Sequence, residues 1–266
     1  MNDLANKVLV IVGGKGNLGS RTYKSFMKNS SKVVIIDSYL NRINDIIKTN
    51  QEYKENTLLI DADISNEDEI KKSLAQIIDK WSCLDVLINF SHYKGNPNSL
   101  DPKSNFFSSL ESYPLDEWKK TLDVNLTGLF ITTKIFGAQM IKQKSGNIIN
   151  TSSTYGIVSP RNDIYGDSGI NSPVGYATTK SAIINFTKYV ATHWSKHNIR
   201  ANILSPGGIS DPNQSEEFVK EYIRNTPLGR MSDVDDYQKA IMFLASNDSS
   251  YMTGSNLIID GGWTAW

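Results

Sequence analysis

The sequence predicts an α/β protein, a doubly wound, seven-stranded parallel sheet with helices on both faces. Three observations lead there. Short apolar runs rich in valine and isoleucine, at 8–12, 33–37, 57–61, 84–89, 146–152, 200–204 and 257–260, read as buried strands. Stretches with helical spacing separate them, so successive strands run parallel and both faces are covered. The first run also breaks at once into glycines and then an amphipathic stretch containing Leu18, Tyr23, Phe26 and Met27. Right-handed crossovers then give a sheet whose ligands bind beyond the carboxyl ends of its strands.

The glycine turn, Val12-Gly-Gly-Lys-Gly-Asn-Leu-Gly19, reads as a phosphate-binding device of the Rossmann type. Gly13, Gly16 and Gly19 let the backbone turn tightly and approach a pyrophosphate, and the N–H groups that open the following helix face the anion. A lone glycine turn also occurs on ordinary surfaces. Asp37 closes the second strand 18 residues after Gly19, where a carboxylate that accepts ribose hydroxyls is expected, and this strengthens the dinucleotide reading.

After the third strand a helix opens at Ser65-Asn66, with Glu67, Asp68 and Glu69 in its first turn. Residues 90–114 form a long polar loop. A helical region then runs from Asp116 through Trp118, Leu122 and Phe130 to Met140. A second long loop, 157–175, follows the fifth strand, and a helix covers about 176–197. Ser205-Pro-Gly-Gly208 ends the sixth strand. Beyond it, 208–228 reads as a third loop, within which Ser210 to Pro227 looks like a short lid with few apolar anchors, Phe218, Val219, Tyr222 and Ile223, and the last helix covers roughly 233–246. All three loops leave from the edge where ligands bind, and long irregular loops in such folds are often functional.

The chain has 28 basic and 28 acidic residues, and no block of like charge points to nucleic acid or a charged membrane surface. No run approaches the length of a membrane span, and the N-terminus lacks the layout of a signal peptide. One cytoplasmic domain over 1–266 is expected, without linkers or repeats. The single cysteine, Cys83, can form neither an intrachain disulfide nor a cysteine-based metal cluster, and beside an apolar strand it reads as a small buried hydrophobe. No metal site is expected.

The helix at 176 opens Tyr176-Ala-Thr-Thr-Lys180, which sets a phenol and an ammonium one turn apart on one face. A free phenol, with a pKa of about 10, is a poor acid or base near neutrality. A nearby ammonium favours the phenolate and makes proton transfer to or from an alcohol oxygen feasible. Alone, this spacing occurs by chance in many helices. Its weight comes from position, because the fifth strand before it ends in Asn150-Thr-Ser-Ser153 at the same sheet edge, and Asn125 lies in the preceding helical region. The bland alternative is a surface pair and a turn-capping serine.

In these motifs and their order the chain resembles the short-chain dehydrogenase/reductase family over essentially its full length. The matching pieces are the turn at 13–19, Asp63 in Asp61-Ala-Asp-Ile64, Leu87-Ile-Asn89, Asn125, Ser153, Tyr176 with Lys180, Ser205-Pro-Gly207 and Asn256-Leu-Ile-Ile-Asp-Gly-Gly262. The resemblance implies that Tyr176 is the general acid/base on the substrate oxygen. Lys180 would lower its pKa and hold the nicotinamide ribose, Ser153 would hydrogen-bond the substrate oxygen, and Asn125 would position a water. On the cofactor side it implies Gly13, Lys15, Gly16, Asn17, Leu18 and Gly19 around the pyrophosphate, Asp37 on the adenosine ribose, and Asp63 with Ile64 at the adenine. Asn89 would line the groove, and Pro206, Gly207 and Ile209 would pack beside the nicotinamide. The implied partner is a small-molecule alcohol or ketone. A homodimer or homotetramer is implied too, with the helices at 126–143 and 176–197 and their Phe130, Phe136, Phe186 and Trp194 as candidates. The aromatic tail, Gly262-Trp-Thr-Ala-Trp266, is a further candidate for docking on a neighbour.

The chain departs from the family pattern in three places. Asn17 stands where most short members carry glycine, and the turn is expected to survive because asparagine tolerates left-handed backbone. Asn89-Phe-Ser-His92 replaces the usual Asn-Asn-Ala-Gly, which brings His92 toward substrate or cofactor as against a plain loop histidine. Ser153 and Tyr176 stand 23 residues apart, more than is usual, and the surplus is the 157–175 loop. Its Arg161 and Tyr165, with Asp163 and Asp167, suit a polar, hydroxyl-rich or phosphorylated substrate, and a solvated loop or subunit contact is the alternative. Asp37, followed by Ser38, favours NAD over NADP, while Lys15 and Arg42 pull the other way. The expected activity is an NAD(P)-dependent interconversion of a secondary alcohol and a ketone on a sugar-like substrate. A reductase of acyl or other apolar carbonyls, with Phe106, Phe107 and Tyr113 lining a pocket, is one alternative, and a catalytically silent nucleotide-binding scaffold is another.

Overall fold

β1 (Val8–Val12), β2 (Lys32–Asp37), β3 (Thr57–Asp61), β4 (Val86–Asn89), β5 (Gly146–Thr151), β6 (Ile199–Pro206) and β7 (Asn256–Ile259) form one sheet in the order β3-β2-β1-β4-β5-β6-β7. Every neighbouring pair is parallel. The strand order reverses between β1 and β4, where Val12 is in register with both Ile36 and Asn89. That reversal opens a crevice at the carboxyl edge, the place where such sheets bind ligands. The computed structural model describes residues 2–38, 51–93, 95 and 105–266. Arg42 and part of the first long loop, 94 and 96–104, lie outside the described residues.

The period of two along each strand splits the core into two layers. Val8, Val10 and Val12 face one side with Ile70, Ile77, Phe136 and Val190, contributed by α3 (Glu67–Trp81), α5 (Leu129–Gln143) and α6 (Val174–Trp194). Leu9 and Ile11 face the other side with Tyr23, Phe26, Ile241 and Leu244, from α1 (Asn17–Met27) and α8 (Gln238–Ala245). Among the described residues the remaining α-helices are α2 (Gln51–Glu55), α4 (Leu115–Leu122) and α7 (Glu216–Arg224). Among the described residues no helix is long and apolar enough to cross a membrane.

Local chemistry sets the ends of these elements. Asn66 caps α3 by accepting hydrogen bonds from the Asp68 and Glu69 N–H groups, with three acids in the first turn. β4 starts later than the apolar pattern suggests because the Gln143 amide takes both Leu84 backbone groups. The helical region after Asp116 is continuous but not uniform, since a π-helical stretch, Asp123–Gly128, joins α4 to α5. The lid is more regular than expected. It contains α7, where the Ser215 hydroxyl accepts from Phe218 N–H and Glu216 and Glu217 occupy the first turn. Cys83 is half-buried against the first core layer, and burial pushes its thiol up.

Candidate active site

The glycine turn is built by close approach. Gly13 takes φ +83°, and a Cβ there would stand 2.6 Å from the Ser91 nitrogen. A Cβ on Gly19 would stand 2.4 Å from the Gly13 carbonyl oxygen, so the first turn of α1 lies directly on the loop. Gly16 is different, because a Cβ there would meet only the Gly13 oxygen, at 3.6 Å. Asn17 is the first residue of α1 and not among the positive-φ residues, so the left-handed tolerance expected of it is not used. Left-handed backbone is needed at Gly13, where the chain leaves β1.

This turn fits a bound dinucleotide. Gly16 caps α1 without a side chain, and no acid stands in the first turn to repel an anion. Leu18 turns instead to the core layer below. The hydroxyls of Ser91, beyond β4, and Thr151, at the end of β5, are buried without hydrogen-bond partners. Such orphaned groups at a crevice are satisfied by a polar ligand.

Asp37 ends β2 opposite the turn. One carboxylate oxygen accepts the Lys15 N–H at 2.8 Å and the other lies 3.7 Å from the Lys15 ammonium, which itself donates to the Ser38 carbonyl. Burial pushes the Asp37 carboxyl up, and Lys15 works against that rise. The other implied cofactor residues have structural work to do. Asp63 is exposed and accepts from the Ser65 N–H and hydroxyl, which closes the turn after β3. Ile64 is buried in the core, where it fills the space a Cβ on Gly128 would need. The Asn89 side chain is buried too, donating to Asn150 Oδ1 at 2.8 Å and accepting from the Thr132 hydroxyl at 3.1 Å. Its amide ties β4 to β5 and α5.

Tyr176 lies in the first turns of α6 and is hydrogen-bonded by the Ser153 hydroxyl. Burial pushes the Tyr176 phenol up, and the Ser153 hydrogen bond opposes the rise. The expectation of a lowered phenol is therefore reversed by desolvation, which disfavours the anion. Lys180 is buried, with its ammonium 5.6 Å from the Tyr176 ring centre and donating to the Thr151 carbonyl at 2.8 Å. The Ser152 hydroxyl returns a hydrogen bond to the Lys180 carbonyl at 2.7 Å, so the end of β5 and the start of α6 are fastened at two points.

His92 packs edge-on against Tyr176, with ring centres 6.0 Å apart, and its Nδ1 lies 3.1 Å from the Phe90 carbonyl. Asn125 is fully buried in the π-helical stretch. Its Oδ1 accepts the Tyr93 N–H, and its amide donates to the Thr179 hydroxyl at 3.2 Å. The side chain thus holds the loop after β4 against α6 and keeps His92 beside Tyr176. Phe106 and Phe107 are buried against one another and Tyr93, while the Tyr113 hydroxyl is buried without a partner.

The 157–175 loop folds back as a wall. Ile164 joins Tyr222, Met231 and Trp263 in a third apolar cluster, with Tyr155, Tyr165 and Phe218 packed against it. Tyr165 stacks on Phe218, ring centres 5.1 Å apart, and so joins the loop to α7. Arg161 is spent within this wall, paired with Asp163 and donating to Asn225 Oδ1. It is half-exposed and is not joined to Tyr176. The Tyr222 hydroxyl accepts the Gly208 N–H at 2.6 Å and so pins the Pro206-Gly207-Gly208 backbone. Gly207 donates to the Ile259 carbonyl, and Ile209 forms a parallel bridge with Ser232. Trp263 stacks on Tyr222 at 4.3 Å, so this tail aromatic docks on its own chain, while Trp266 stays exposed.

Sequence reasoning missed Tyr155. The signal was present, a large aromatic two residues after Ser153 where the chain enters a short 3-10 turn, Thr154–Gly156. The Tyr155 N–H donates to the Ser153 hydroxyl at 3.2 Å, and its own phenol is buried beside that of Tyr165.

Comparison with known proteins agrees with this geometry. The family model described as enoyl-(acyl carrier protein) reductase matches residues 14–264. Xanthoxin dehydrogenase of Arabidopsis thaliana is 31% identical over 98% of this chain and 90% of its own length. The 3-oxoacyl-[acyl-carrier-protein] reductase FabG of Chlamydia pneumoniae is 30% identical over 98% of both chains. The crystal structure of a short-chain dehydrogenase from Leptospira borgpetersenii with bound NAD+ superposes with a TM-score of 0.83 at 34% identity, covering 99% of this chain and 94% of that one. A parallel Rossmann sheet, a glycine turn at its switch point and a serine–tyrosine–lysine set beyond β5 stand in one full-length match, and the chain belongs to the short-chain dehydrogenase/reductase family of NAD(P)-dependent oxidoreductases.

Proposed function

We propose that the protein interconverts a secondary alcohol and a ketone on a small polar, sugar-like substrate, with NAD as its cofactor. The observation that carries this reading is the convergence of Tyr176, Ser153 and Lys180 beyond β5, beside the glycine turn. Tyr176 passes the proton to and from the substrate oxygen, and Ser153 holds that oxygen by a hydrogen bond. Lys180, fixed on the Thr151 carbonyl, keeps a positive charge near the phenol and holds the nicotinamide ribose. Asn125 acts by position, securing the loop that carries His92. A nicotinamide held there would supply or accept the hydride.

Asp37 favours NAD because a 2′-phosphate would meet its carboxylate, although Lys15 beside it softens the discrimination. A reductase of acyl carbonyls is the second reading, carried by the similarity to the FabG protein. Exposed aromatic surface on α5 and α6, Phe130 and Tyr189, supports a homodimer or homotetramer through those helices. The test is NADH formation on a panel of sugars, sugar phosphates, nucleotide sugars and simple secondary alcohols. Turnover concentrated in a polar class is the expected result. Silence across the panel, with NAD bound, would overturn the reading.

A further inference from the structure

The 157–175 loop runs along the whole length of α7, in the opposite direction. Gly166 lies against the first turn of the helix, with φ +53° and a Cβ position that would overlap the Glu217 carboxylate. Tyr165 stacks on Phe218, ring centres 5.1 Å apart. Ile164 shares one buried cluster with Tyr222, in the third turn. Arg161 donates to Asn225 Oδ1 at the C-terminal cap, and the Asn225 amide donates to the Glu221 carbonyl at 2.8 Å. Residues 161, 164, 165 and 166 thus follow 225, 222, 218 and 217.

The loop is itself fastened to the body of the protein. At its start the Ile157 and Val158 N–H groups donate to the Thr154 carbonyl. Near its end the Asn171 N–H and side-chain amide both donate to the Phe107 carbonyl, each at 3.2 Å. The Ser172 N–H donates to Asn162 Oδ1 at 3.0 Å and closes the loop on itself. The helix is joined to the sheet as well, because the Tyr222 hydroxyl accepts the Gly208 N–H beyond β6 and its ring stacks on Trp263. All four apolar residues of α7, Phe218, Val219, Tyr222 and Ile223, are spent on this one cluster.

We propose that the 157–175 loop is a strap that fixes α7 on the end of β6 by contacts within the chain, so that the lid is set before cofactor or substrate binds and does not order around them. A helix of nine residues is marginal by itself in water, so the packing of its apolar face decides whether it forms. Here that face is met by the strap, the segment at Met231 and the tail at Trp263, all of them protein. Local opening of such a segment costs what its packing and hydrogen bonds are worth, and amide exchange reads that cost. Arg161 then serves the site through α7, as part of the strap.

The test is hydrogen–deuterium exchange read by mass spectrometry, on the wild type with and without saturating NAD and on Tyr165→Ala and Arg161→Ala without it. Calorimetry on the same wild-type sample establishes that NAD is bound. The wild-type amides of α7 should exchange slowly without NAD, and NAD should slow them by less than about threefold. Tyr165→Ala removes a stacked anchor and should speed them by about tenfold or more, while the amides of β1 hold. Arg161→Ala is an exposed change that leaves the cluster intact, and it should speed the last turn of α7 alone. A wild-type lid that exchanges freely until NAD is added would overturn the proposal. Unchanged exchange of α7 in both variants would overturn it too. The arms without NAD need neither cofactor nor turnover, so failure of the alcohol–ketone reading and failure of the strap are told apart.

Discussion

Gly19→Ala and Gly16→Ala separate the two tasks of the glycine turn. At Gly19 a Cβ would lie 2.4 Å from the Gly13 carbonyl oxygen and 2.8 Å from the Gly14 Cα. Both are backbone atoms, so no rotamer change relieves the contact. The start of α1 must lift by about 1 Å to restore van der Waals distance, and overpacking of this kind costs about 2 kcal/mol. For a chain of this size that lowers the melting temperature by roughly 4–8 °C. At Gly16 the nearest atom is 3.6 Å away and φ is −62°, so alanine fits without strain. Gly16 is nevertheless exposed at the N-terminus of α1, where a pyrophosphate bound as proposed would approach the backbone. Thermal denaturation and calorimetric titration with NAD read the two effects apart. Gly16→Ala should keep the wild-type melting temperature and lose NAD affinity by about tenfold or more, the worth of one charge-assisted hydrogen bond. Gly19→Ala should lose both. Equal loss of stability in the two variants, or full NAD affinity in Gly16→Ala, would refute this reasoning.

Three further outcomes follow from the same structure. Burial raises the Asp37 carboxyl, so its favourable contribution is fully present below its unfolded pKa and is lost as pH rises through the folded value. At neutral pH the charge is carried at a cost, so Asp37→Asn should keep or raise the melting temperature while NAD affinity and the NAD/NADP preference fall. A melting temperature several degrees lower would contradict this. The raised Tyr176 phenol stays neutral near physiological pH, so ketone reduction should be flat from about pH 6 to about 8. Alcohol oxidation should still climb above about pH 8, and a pH–rate profile with an oxidation plateau below that point would show a lowered phenol. Phe130 is 45% exposed on α5, in edge contact with Phe186, and light scattering should find a dimer or tetramer that Phe130→Glu weakens. A monomeric wild type would remove that interface.

The fold was legible because each of its signals is local. Valine- and isoleucine-rich runs end in glycine, asparagine, aspartate or serine, and the seven strands fall where those runs lie. The site was legible where a motif names backbone geometry, as at Gly13 and Gly19, or couples a helix turn, as at Tyr176 and Lys180. What escaped were partners fixed by long-range packing. Asn89 and Ile64 carry family positions, but their side chains are consumed by Asn150, Thr132 and Gly128, contacts between distant segments. Arg161 suited an anion by residue type, yet Asp163 two residues on and Asn225 on the far side of the lid engage it first. The direction of the Tyr176 shift escaped for a similar reason, since the burial that raises the phenol is set by the folded surroundings and not by the tyrosine–lysine spacing.

The most direct test of the account is Tyr176→Phe, assayed for NADH formation with the best alcohol found and for NAD affinity by calorimetry. The phenol hydroxyl is the proton-transfer group in this account, so turnover should fall by about 10²–10⁴-fold, while NAD affinity and the melting temperature hold. Retained turnover with NAD still bound would contradict the assignment of Tyr176 and the reaction built on it.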